Sequence, residues 1–257
     1  ATFVPVPTSP ENGFHVTAEA IERAITPRSR VLLLNTPSNP TGAVLSEKEI
    51  DAIGDVCERH DLWIICDEVY ADMTYDAPFC SPFDRKQLRH RTLAVSSISK
   101  SHALPGFRAG WVACPAAVTP RLVLVAEAML FGSQPFIEDA LVVALTEQHD
   151  EVQRMRVAYR ERAQVLVEAI NGSDAVSARM PEGGMFVMVD VRATKLSGEE
   201  FAWKLLDDHN IGVMPGESFG LGGAGHIRIA LTVDASVLRK ACETIRTMAE
   251  ALVAKAK

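Results

Sequence analysis

Three short apolar runs, spaced about thirty residues apart, constrain the fold more than any other feature of this sequence. They occupy residues 31–34, 62–66 and 92–95. Between the first two, Ser46 is followed three positions later by Glu49, which is the pattern of a helix-capping box. Apolar strands alternating with helices are typical of βαβ units, whose parallel sheets are buried on both faces. The sequence therefore predicts an α/β fold with a mostly parallel sheet.

Polar residues follow each of these strands. Asn39 comes after the first, Asp67 ends the second, and Ser97 and Lys100 follow the third. The carboxyl ends of parallel strands share one edge of the sheet, and open α/β sheets bind their ligands there. A lysine at such an edge can form a Schiff base with a carbonyl, which an arginine cannot. The neighbouring hydroxyls and Arg108 are suited to hold a phosphate.

The pattern changes after about residue 121. We predict helices, then a strand, a helix, two further strands and a last helix, which is the order of a smaller α+β domain. We place the boundary near Asp150, with a large domain over residues 1–150 and a small domain over residues 151–257. The first seven residues are predicted to form a short strand.

Composition excludes several classes of partner. The net charge of −7 and the pI near 5.5 argue against a nucleic acid or an anionic membrane. No apolar run approaches the roughly 20 residues needed to span a bilayer. The five cysteines are scattered and form no CxxC pair, so we predict a cytoplasmic protein without a metal site.

Four motifs together resemble a known family. Asn-Pro-Thr-Gly at residues 39–42, Asp67-x-x-Tyr70, Ser97-x-x-Lys100 and Arg108 match, in order and spacing, the fold-type I enzymes that use pyridoxal phosphate, specifically the class I/II aminotransferases. The resemblance covers essentially the whole chain. It implies a pyridoxal-phosphate-dependent transferase-like fold and transfer of an amino group from an amino acid to a 2-oxo acid. It also implies a homodimer with active sites at the subunit interface.

The resemblance assigns roles to the residues near the predicted sheet edge. Lys100 would hold the cofactor as a Schiff base and act as general base and acid. Asp67 would pair with the pyridine nitrogen and keep it protonated, so that the ring withdraws electrons. Tyr70 and Asn39 would form hydrogen bonds with the phenolic oxygen of the cofactor.

The remaining roles concern anions. Ser97 and Arg108 would bind the cofactor phosphate. Arg228 matches the family arginine that grips the substrate α-carboxylate, a task that suits the planar guanidinium fork, and Asn39 is a second candidate for substrate binding. Residues 183–186, Gly-Gly-Met-Phe, match a family loop, and a packing turn explains them equally well. Residues 220–225 satisfy GxGxxG by letter, but they precede a strand instead of opening a helix, so we reject a dinucleotide site.

Within the family, residues 99–103, 136–140 and 184–190 are similar to the arginine–pyruvate transaminases. This implies an amino donor such as arginine and an acceptor such as pyruvate, with aspartate or aromatic donors and 2-oxoglutarate left open. Two alternatives remain: a carbon–sulfur β-lyase of the same fold, and a non-catalytic aminotransferase-like sensor domain of a transcription regulator.

The family pattern also includes a large-domain segment that precedes the first residue of this chain. That segment supplies a turn whose helix N-terminus binds the phosphate and an aromatic ring that stacks on the pyridine. We therefore expect the large domain to be incomplete and the 257 residues to derive from a longer polypeptide. Taken alone, they are expected to bind pyridoxal phosphate weakly.

Overall fold

The computed structural model describes residues 1–147 and 150–255, and these residues form two compact units. The last change from unit 1 to unit 2 follows Met155, whereas we predicted a boundary near Asp150. Two segments from the N-terminal part of the chain also belong to unit 2, which the prediction of two contiguous domains did not include. Unit 1 contains Ala1–Val6, Val16–Pro37 and Val44–Met155, and unit 2 contains Pro7–His15, Ser38–Ala43 and Arg156–Lys257.

Unit 1 is built on a four-stranded sheet in the order β1-β2-β3-β4. The strands are β1 (Val31–Asn35), β2 (Trp63–Asp67), β3 (Thr92–Ser97) and β4 (Gly110–Ala113). The first three are parallel, and β4 is antiparallel to β3. The predicted mostly parallel sheet is therefore confirmed.

The helix capping box that the sequence predicts after β1 is present. Ser46 and Glu49 form the capping box at the start of α2, where the backbone N–H of Ser46 donates to Glu49 Oε2 at 2.8 Å. The predicted strand over residues 1–7 is wrong, because these residues pair with no strand and the prolines at positions 5 and 7 have no N–H to donate. The helices are α1 (Ala18–Ala24), α2 (Glu47–Arg59), α3 (Ile98–Ser101), α4 (Thr119–Leu130), α5 (Pro135–Thr146) and α6 (Asp150–Ile170), which continues into unit 2.

The core of unit 1 lies on one face of β1 and β2. Leu32, Leu34 and Ile64 of these strands are buried against Ile50 and Ile53 of α2. The opposite face of β1 is half exposed or more, with Val31 at 51% and Leu33 at 62% exposure. The described residues therefore bury β1 on one face rather than on both faces as predicted.

Two helices of unit 1 present apolar side chains to solvent. On α4 and just beyond it, Leu124, Met129 and Phe131 are 65%, 74% and 98% exposed, and Phe136 at the start of α5 is 70% exposed. Despite this apolar surface, no helix within residues 1–147 and 150–255 has the length and apolar character needed to cross a membrane.

Unit 2 contains a four-stranded antiparallel sheet in the order β5-β6-β8-β7. Ser197 is followed three positions later by Glu200, the same pattern as at Ser46, and these two residues form a capping box at the start of α7. The apolar residues at 211–214 predict a strand, but the strand in the structure contains only Met214 and Pro215. The elements are β5 (Ser177–Ala178), β6 (Phe186–Asp190), α7 (Gly198–His209), β7 (Met214–Pro215), β8 (His226–Ala230) and α8 (Ala235–Lys255).

Candidate active site

The carboxyl ends of β1, β2 and β3 are joined by hydrogen bonds at one edge of the unit 1 sheet. Asp67 lies in register with Asn35 on one side and with Val95 on the other. Just beyond the strands, the N–H of Thr36 donates to the carbonyl of Asp67 at 3.1 Å, and the N–H of Glu68 donates to the carbonyl of Val95 at 2.8 Å. The chain thus forms the kind of edge at which α/β sheets bind ligands.

Lys100 is carried at this edge by α3, which begins directly after β3. The helix is capped by Ser97, whose Oγ accepts a hydrogen bond from the N–H of Ser99 at 3.2 Å. Helix α3 packs against the short 3-10 turn Ala71–Met73, which follows Tyr70. Lys100 is half-buried, and Tyr70 is buried. The amine-bearing helix and the turn that carries the phenol are therefore neighbours.

Asp67, the last residue of β2, is half-buried. Its Oδ1 accepts a hydrogen bond from the N–H of Val69 at 3.1 Å, which fixes the carboxylate against its own turn. The amide Nδ2 of Asn35 donates to the backbone carbonyl of Asp67 at 3.1 Å. Asn35 was not identified from the sequence, although its position as the last residue of an apolar strand is a usable signal.

Two predicted phosphate ligands lie further along the chain in unit 1. Ser97 accepts the capping bond described above, and its own hydroxyl hydrogen can donate to an anion. Arg108 is exposed, has a φ of 52°, and donates from Nη1 to the carbonyl of Pro105 at 2.9 Å. Gly110 lets β4 approach β3 closely, because a Cβ there would lie 2.6 Å from the carbonyl oxygen of Ser96. The anion-binding roles of Ser97 and Arg108 stay predictions.

In unit 2, Arg228 on β8 contacts Asn39, Phe219 and Phe186. Its Nη1 donates to Oδ1 of Asn39 at 2.8 Å. Its guanidinium carbon lies 4.8 Å from the ring centroid of Phe219 and 5.3 Å from that of Phe186. Aromatic faces attract a guanidinium and orient its plane. The side chain is half-buried, so the guanidinium is a fixed cationic fork rather than a freely solvated one.

The loop that carries Asn39 is tied to the turn that precedes Phe186. The carbonyl of Gly42 accepts hydrogen bonds from the N–H groups of Glu182 and Gly183, each at 3.0 Å. Gly42 has a φ of +72°, and a Cβ there would lie 2.8 Å from the carbonyl oxygen of Gly183, so a larger residue does not fit. The turn at residues 183–186 is thus a packing turn, and it also leads into an aromatic contact of Arg228.

The predicted site residues divide between the units. Unit 1 contains Asp67, Tyr70, Ser97, Lys100 and Arg108, and unit 2 contains Asn39 and Arg228.

Asn39 lies in the loop that follows β1. Strand β1 ends at Asn35, and the loop beyond it enters unit 2, where Asn39 accepts from Arg228. Its role as a cofactor ligand stays a prediction. The sequence did not predict the aromatic contacts of Arg228. Phe219 and Phe186 approach the guanidinium only in the folded protein, and no local spacing of residues indicates these contacts.

A buried carboxylate next to Asp67 was also missed. Glu68 is 8% exposed, and its Oε1 accepts a hydrogen bond from the Ser81 hydroxyl at 2.6 Å. Burial raises the pKa of Glu68 to about 7, and the negative charges of Asp84 and Asp67 act in the same direction. Hydrogen bonds from Ser81 and Cys66 oppose this shift without cancelling it.

Glu68→Gln is expected to remove a pH dependence of stability. In the wild type, the folded state holds the Glu68 proton more tightly than the unfolded state, so the free energy of unfolding falls as the pH rises from about 4.5 to about 7 and stays low above that. At pH 8 the variant is expected to be more stable than the wild type by about 1–3 kcal/mol, and at pH 4.5 the two should be similar.

Urea unfolding at several pH values measures this effect. Glu19→Gln, which neutralises an exposed carboxylate in unit 1, serves as the control. Equal differences between wild type and Glu68→Gln at pH 4.5 and pH 8 would contradict the prediction.

Comparison with known proteins identifies the family. The model of the family "Aminotransferase class I and II" matches residues 1–245. An arginine–pyruvate transaminase of Pseudomonas aeruginosa is 45% identical over 256 residues, covering 100% of this chain and 65% of that protein. An aspartate aminotransferase of Musicola paradisiaca is 33% identical over 232 residues, covering 90% of this chain and 58% of that protein. The chain thus spans less than two thirds of the length of these relatives.

Solved structures give the same result. The crystal structure of an aromatic aminotransferase from Pyrococcus horikoshii matches with a TM-score of 0.92 and 30% identity, covering 96% of this chain and 66% of that one. An aspartate aminotransferase from Thermus thermophilus with maleate matches with a TM-score of 0.88 and 31% identity, covering 94% and 63%. These matches confirm the predicted fold, and the predicted cofactor class agrees with a family of pyridoxal-phosphate-dependent enzymes. The chain belongs to the class I and II aminotransferases.

Proposed function

We propose that the protein is a pyridoxal-phosphate-dependent aminotransferase that moves an amino group from an amino acid to a 2-oxo acid. One observation supports this more than any other: the half-buried Lys100 follows β3 at the same sheet edge at which Asp67 ends β2, in a chain that belongs to the aminotransferase family. A primary amine and a carboxylate at the same ligand-binding edge are the pair of groups that this cofactor requires.

The donor set of unit 1 fits pyridoxal phosphate. Lys100 offers an amine to an aldehyde, and Asp67 offers a carboxylate to a protonated ring nitrogen. Tyr70 offers a phenol to the ring oxygen, and the Ser97 hydroxyl and the Arg108 guanidinium offer donors to a phosphate. The aldehyde, the ring nitrogen, the ring oxygen and the phosphate of the cofactor thus each have a partner of matching type among these side chains.

When bound, pyridoxal phosphate supplies an aldehyde that condenses with amines and a ring that withdraws electrons. The chain then supplies the proton chemistry. Asp67 keeps a proton on the ring nitrogen, because its negative charge favours the protonated ring. The Nζ atom of Lys100 takes the proton from the substrate α-carbon, and a positioned general base of this kind contributes roughly 10²–10⁴-fold to a rate.

Unit 2 supplies the group for the substrate carboxylate. Arg228 can take a carboxylate by two parallel hydrogen bonds, and its stacking on Phe186 and Phe219 orients the fork before a ligand arrives. Asn39 accepts from the same guanidinium and so fixes its rotation. A preoriented donor loses less conformational entropy on binding than a mobile one.

Arginine as donor and pyruvate as acceptor are the substrates that we propose first. The support is the 45% identity, over 256 residues, to an arginine–pyruvate transaminase. Relatives named aspartate aminotransferases are about one third identical, so aspartate and 2-oxoglutarate are the second choice.

We also propose a cytoplasmic homodimer. The exposed apolar side chains of α4 and α5 support a second copy as their cover, because contiguous apolar surface on soluble proteins commonly marks an interface. The scattered cysteines, all unpaired in the structure, support a reducing compartment.

The full-length protein tests this function directly. Incubation with pyridoxal phosphate followed by borohydride is expected to leave a reduced adduct that peptide mapping assigns to Lys100. Arginine, aspartate and phenylalanine are then offered with pyruvate or with 2-oxoglutarate, and the new amino acid is measured. Alanine formed from pyruvate with arginine as donor would support the proposal. Pyruvate and ammonia released from an amino acid without any 2-oxo acid would indicate a β-lyase, and no adduct would contradict both.

A further inference from the structure

The turn between β7 and β8 is organised by one carboxylate. Oε1 of Glu217 accepts hydrogen bonds from the N–H of Gly198 at 2.9 Å and from the N–H of Gly225 at 2.8 Å. Gly198 is the first residue of α7, and Gly225 directly precedes β8. A single side chain therefore links the start of a helix to the start of the strand that carries Arg228.

The environment of this carboxylate indicates a specific role. Oε2 of Glu217 is buried and has no hydrogen-bond partner among the described residues. Burial opposes ionisation, yet the backbone N–H groups of Gly225 and Gly198 keep the pKa of Glu217 below its ordinary value. Burying a carboxylate oxygen without a hydrogen-bond partner lowers the stability of the fold. We therefore attribute the position of Glu217 to the two hydrogen bonds that Oε1 accepts, and not to a contribution to solubility.

The turn that contains Glu217 also carries an aromatic contact of Arg228. Glu217 lies in the 3-10 turn Gly216–Phe219, whose last residue places its ring 4.8 Å from the guanidinium carbon. Glu217 and Phe219 are separated by a single residue in the chain. A displacement of Glu217 is therefore expected to displace Phe219 through the backbone.

The glycines at residues 220–225, which the sequence left without a function, complete this turn. Gly216 and Gly223 approach so closely that a Cβ on Gly216 would lie 2.0 Å from the carbonyl oxygen of Gly223, and a Cβ on Gly223 would lie 2.2 Å from that of Gly216. Only glycine fits at either position. The glycine-rich segment folds the chain tightly back from Phe219 to the start of β8.

We propose that Glu217 is a positioning residue for substrate carboxylate binding, which acts by holding Phe219 and the start of β8 so that Arg228 keeps the orientation that takes a carboxylate. This inference rests on the proposed role of Arg228. Glu217 itself touches neither the guanidinium nor the substrate in this account; it acts through the ring and the strand.

Titration of the full-length holoenzyme with pyruvate, in the absence of an amino donor, tests the inference by calorimetry. Glu217→Ala is expected to raise the Kd for pyruvate about tenfold, because two part-buried N–H groups lose their acceptor and the turn shifts. Glu217→Gln keeps an acceptor oxygen and should stay within about threefold of the wild type. In steady-state assays, the KM for pyruvate should rise with little change in kcat, as expected when binding alone is affected.

Glu200→Ala is the matched control. Glu200 belongs to the capping box of the same helix, and its loss weakens the start of α7 without altering the acceptor that Gly225 uses. The thermal stability of the Glu200→Ala variant is expected to fall like that of Glu217→Ala. The Kd of Glu200→Ala for pyruvate should nevertheless stay within about twofold of the wild type. If Glu217→Ala does not fold, Glu217→Asp, which retracts the same carboxylate by one methylene group, replaces it.

A double variant separates positioning from a general structural role. If Glu217 acts through Phe219, the Kd of Glu217→Ala/Phe219→Leu should be close to that of Phe219→Leu alone. Fully additive effects, or equal Kd values for Glu217→Ala and Glu200→Ala, would overturn the inference.

Arg228→Lys in the same titration separates the role of Glu217 from that of Arg228. If it weakens pyruvate binding and Glu217→Ala does not, the positioning role fails and the role of Arg228 stands. If Arg228→Lys binds pyruvate like the wild type, both fail.

Discussion

Replacement of Lys100 by arginine is expected to lower kcat by at least about 10⁴-fold, the upper end of the effect of a positioned general base, since the covalent step is lost as well. Arginine keeps the positive charge and the approximate length, but its guanidinium stays protonated and forms no Schiff base. In the proposed function, both the attachment of the cofactor and the proton transfer at the substrate α-carbon depend on a neutral amine at this position. Single-turnover and steady-state assays of the full-length enzyme measure the loss.

Lys48→Arg is the matched control, because Lys48 is an exposed lysine on α2 of the same unit. The Lys100 variant should lose the borohydride-trapped adduct while keeping the circular dichroism spectrum and unfolding midpoint of the control. Retention of more than about one hundredth of the wild-type kcat would show that another group carries the proton, since a general base is worth at least that much.

The second large effect is expected from Arg228→Leu. Removal of the guanidinium should lower kcat/KM for both the amino acid and the 2-oxo acid by roughly 10²–10³-fold, which corresponds to about 3–4 kcal/mol and matches the loss of one partner of a hydrogen-bonded charge pair. The amino acid and the 2-oxo acid both carry this carboxylate, so kcat/KM should fall by a similar factor in both half-reactions.

Arg228→Lys should fall between the wild type and the leucine variant. An ammonium keeps the charge, but it lacks the planar fork that stacks on Phe186 and Phe219. Arg239→Lys on α8 replaces an exposed arginine in the same unit and should leave both kinetic constants unchanged. A loss confined to one of the two substrates would contradict the assignment of Arg228 to the shared carboxylate.

The fold was predictable because its signals are local. Apolar runs, capping boxes at Ser46 and Ser197, and the order of elements follow from residues within a few positions of one another. The same holds for Lys100 and Asp67, since each directly follows or ends a strand whose direction fixes the edge on which it lies.

The features that the sequence did not reveal depend on distant residues. Arg228 and Asn39 are separated by 189 positions, and Glu217 reaches Gly198 across 19. The close approach of β4 to its antiparallel neighbour β3 depends on Gly110, and no periodicity in the sequence indicates it. Nothing in the local sequence distinguishes Glu68 from an ordinary acidic residue, because its raised pKa results from its burial in the folded protein.

The path of the chain has a practical consequence for dissecting this protein. The backbone changes unit five times, after Val6, His15, Pro37, Ala43 and Met155. A recombinant fragment that starts at residue 156 would lack the loop whose Asn39 contacts Arg228. Truncation of the chain therefore cannot isolate unit 1 or unit 2 intact. Circular permutants or covalently joined segments are better suited to isolating either unit.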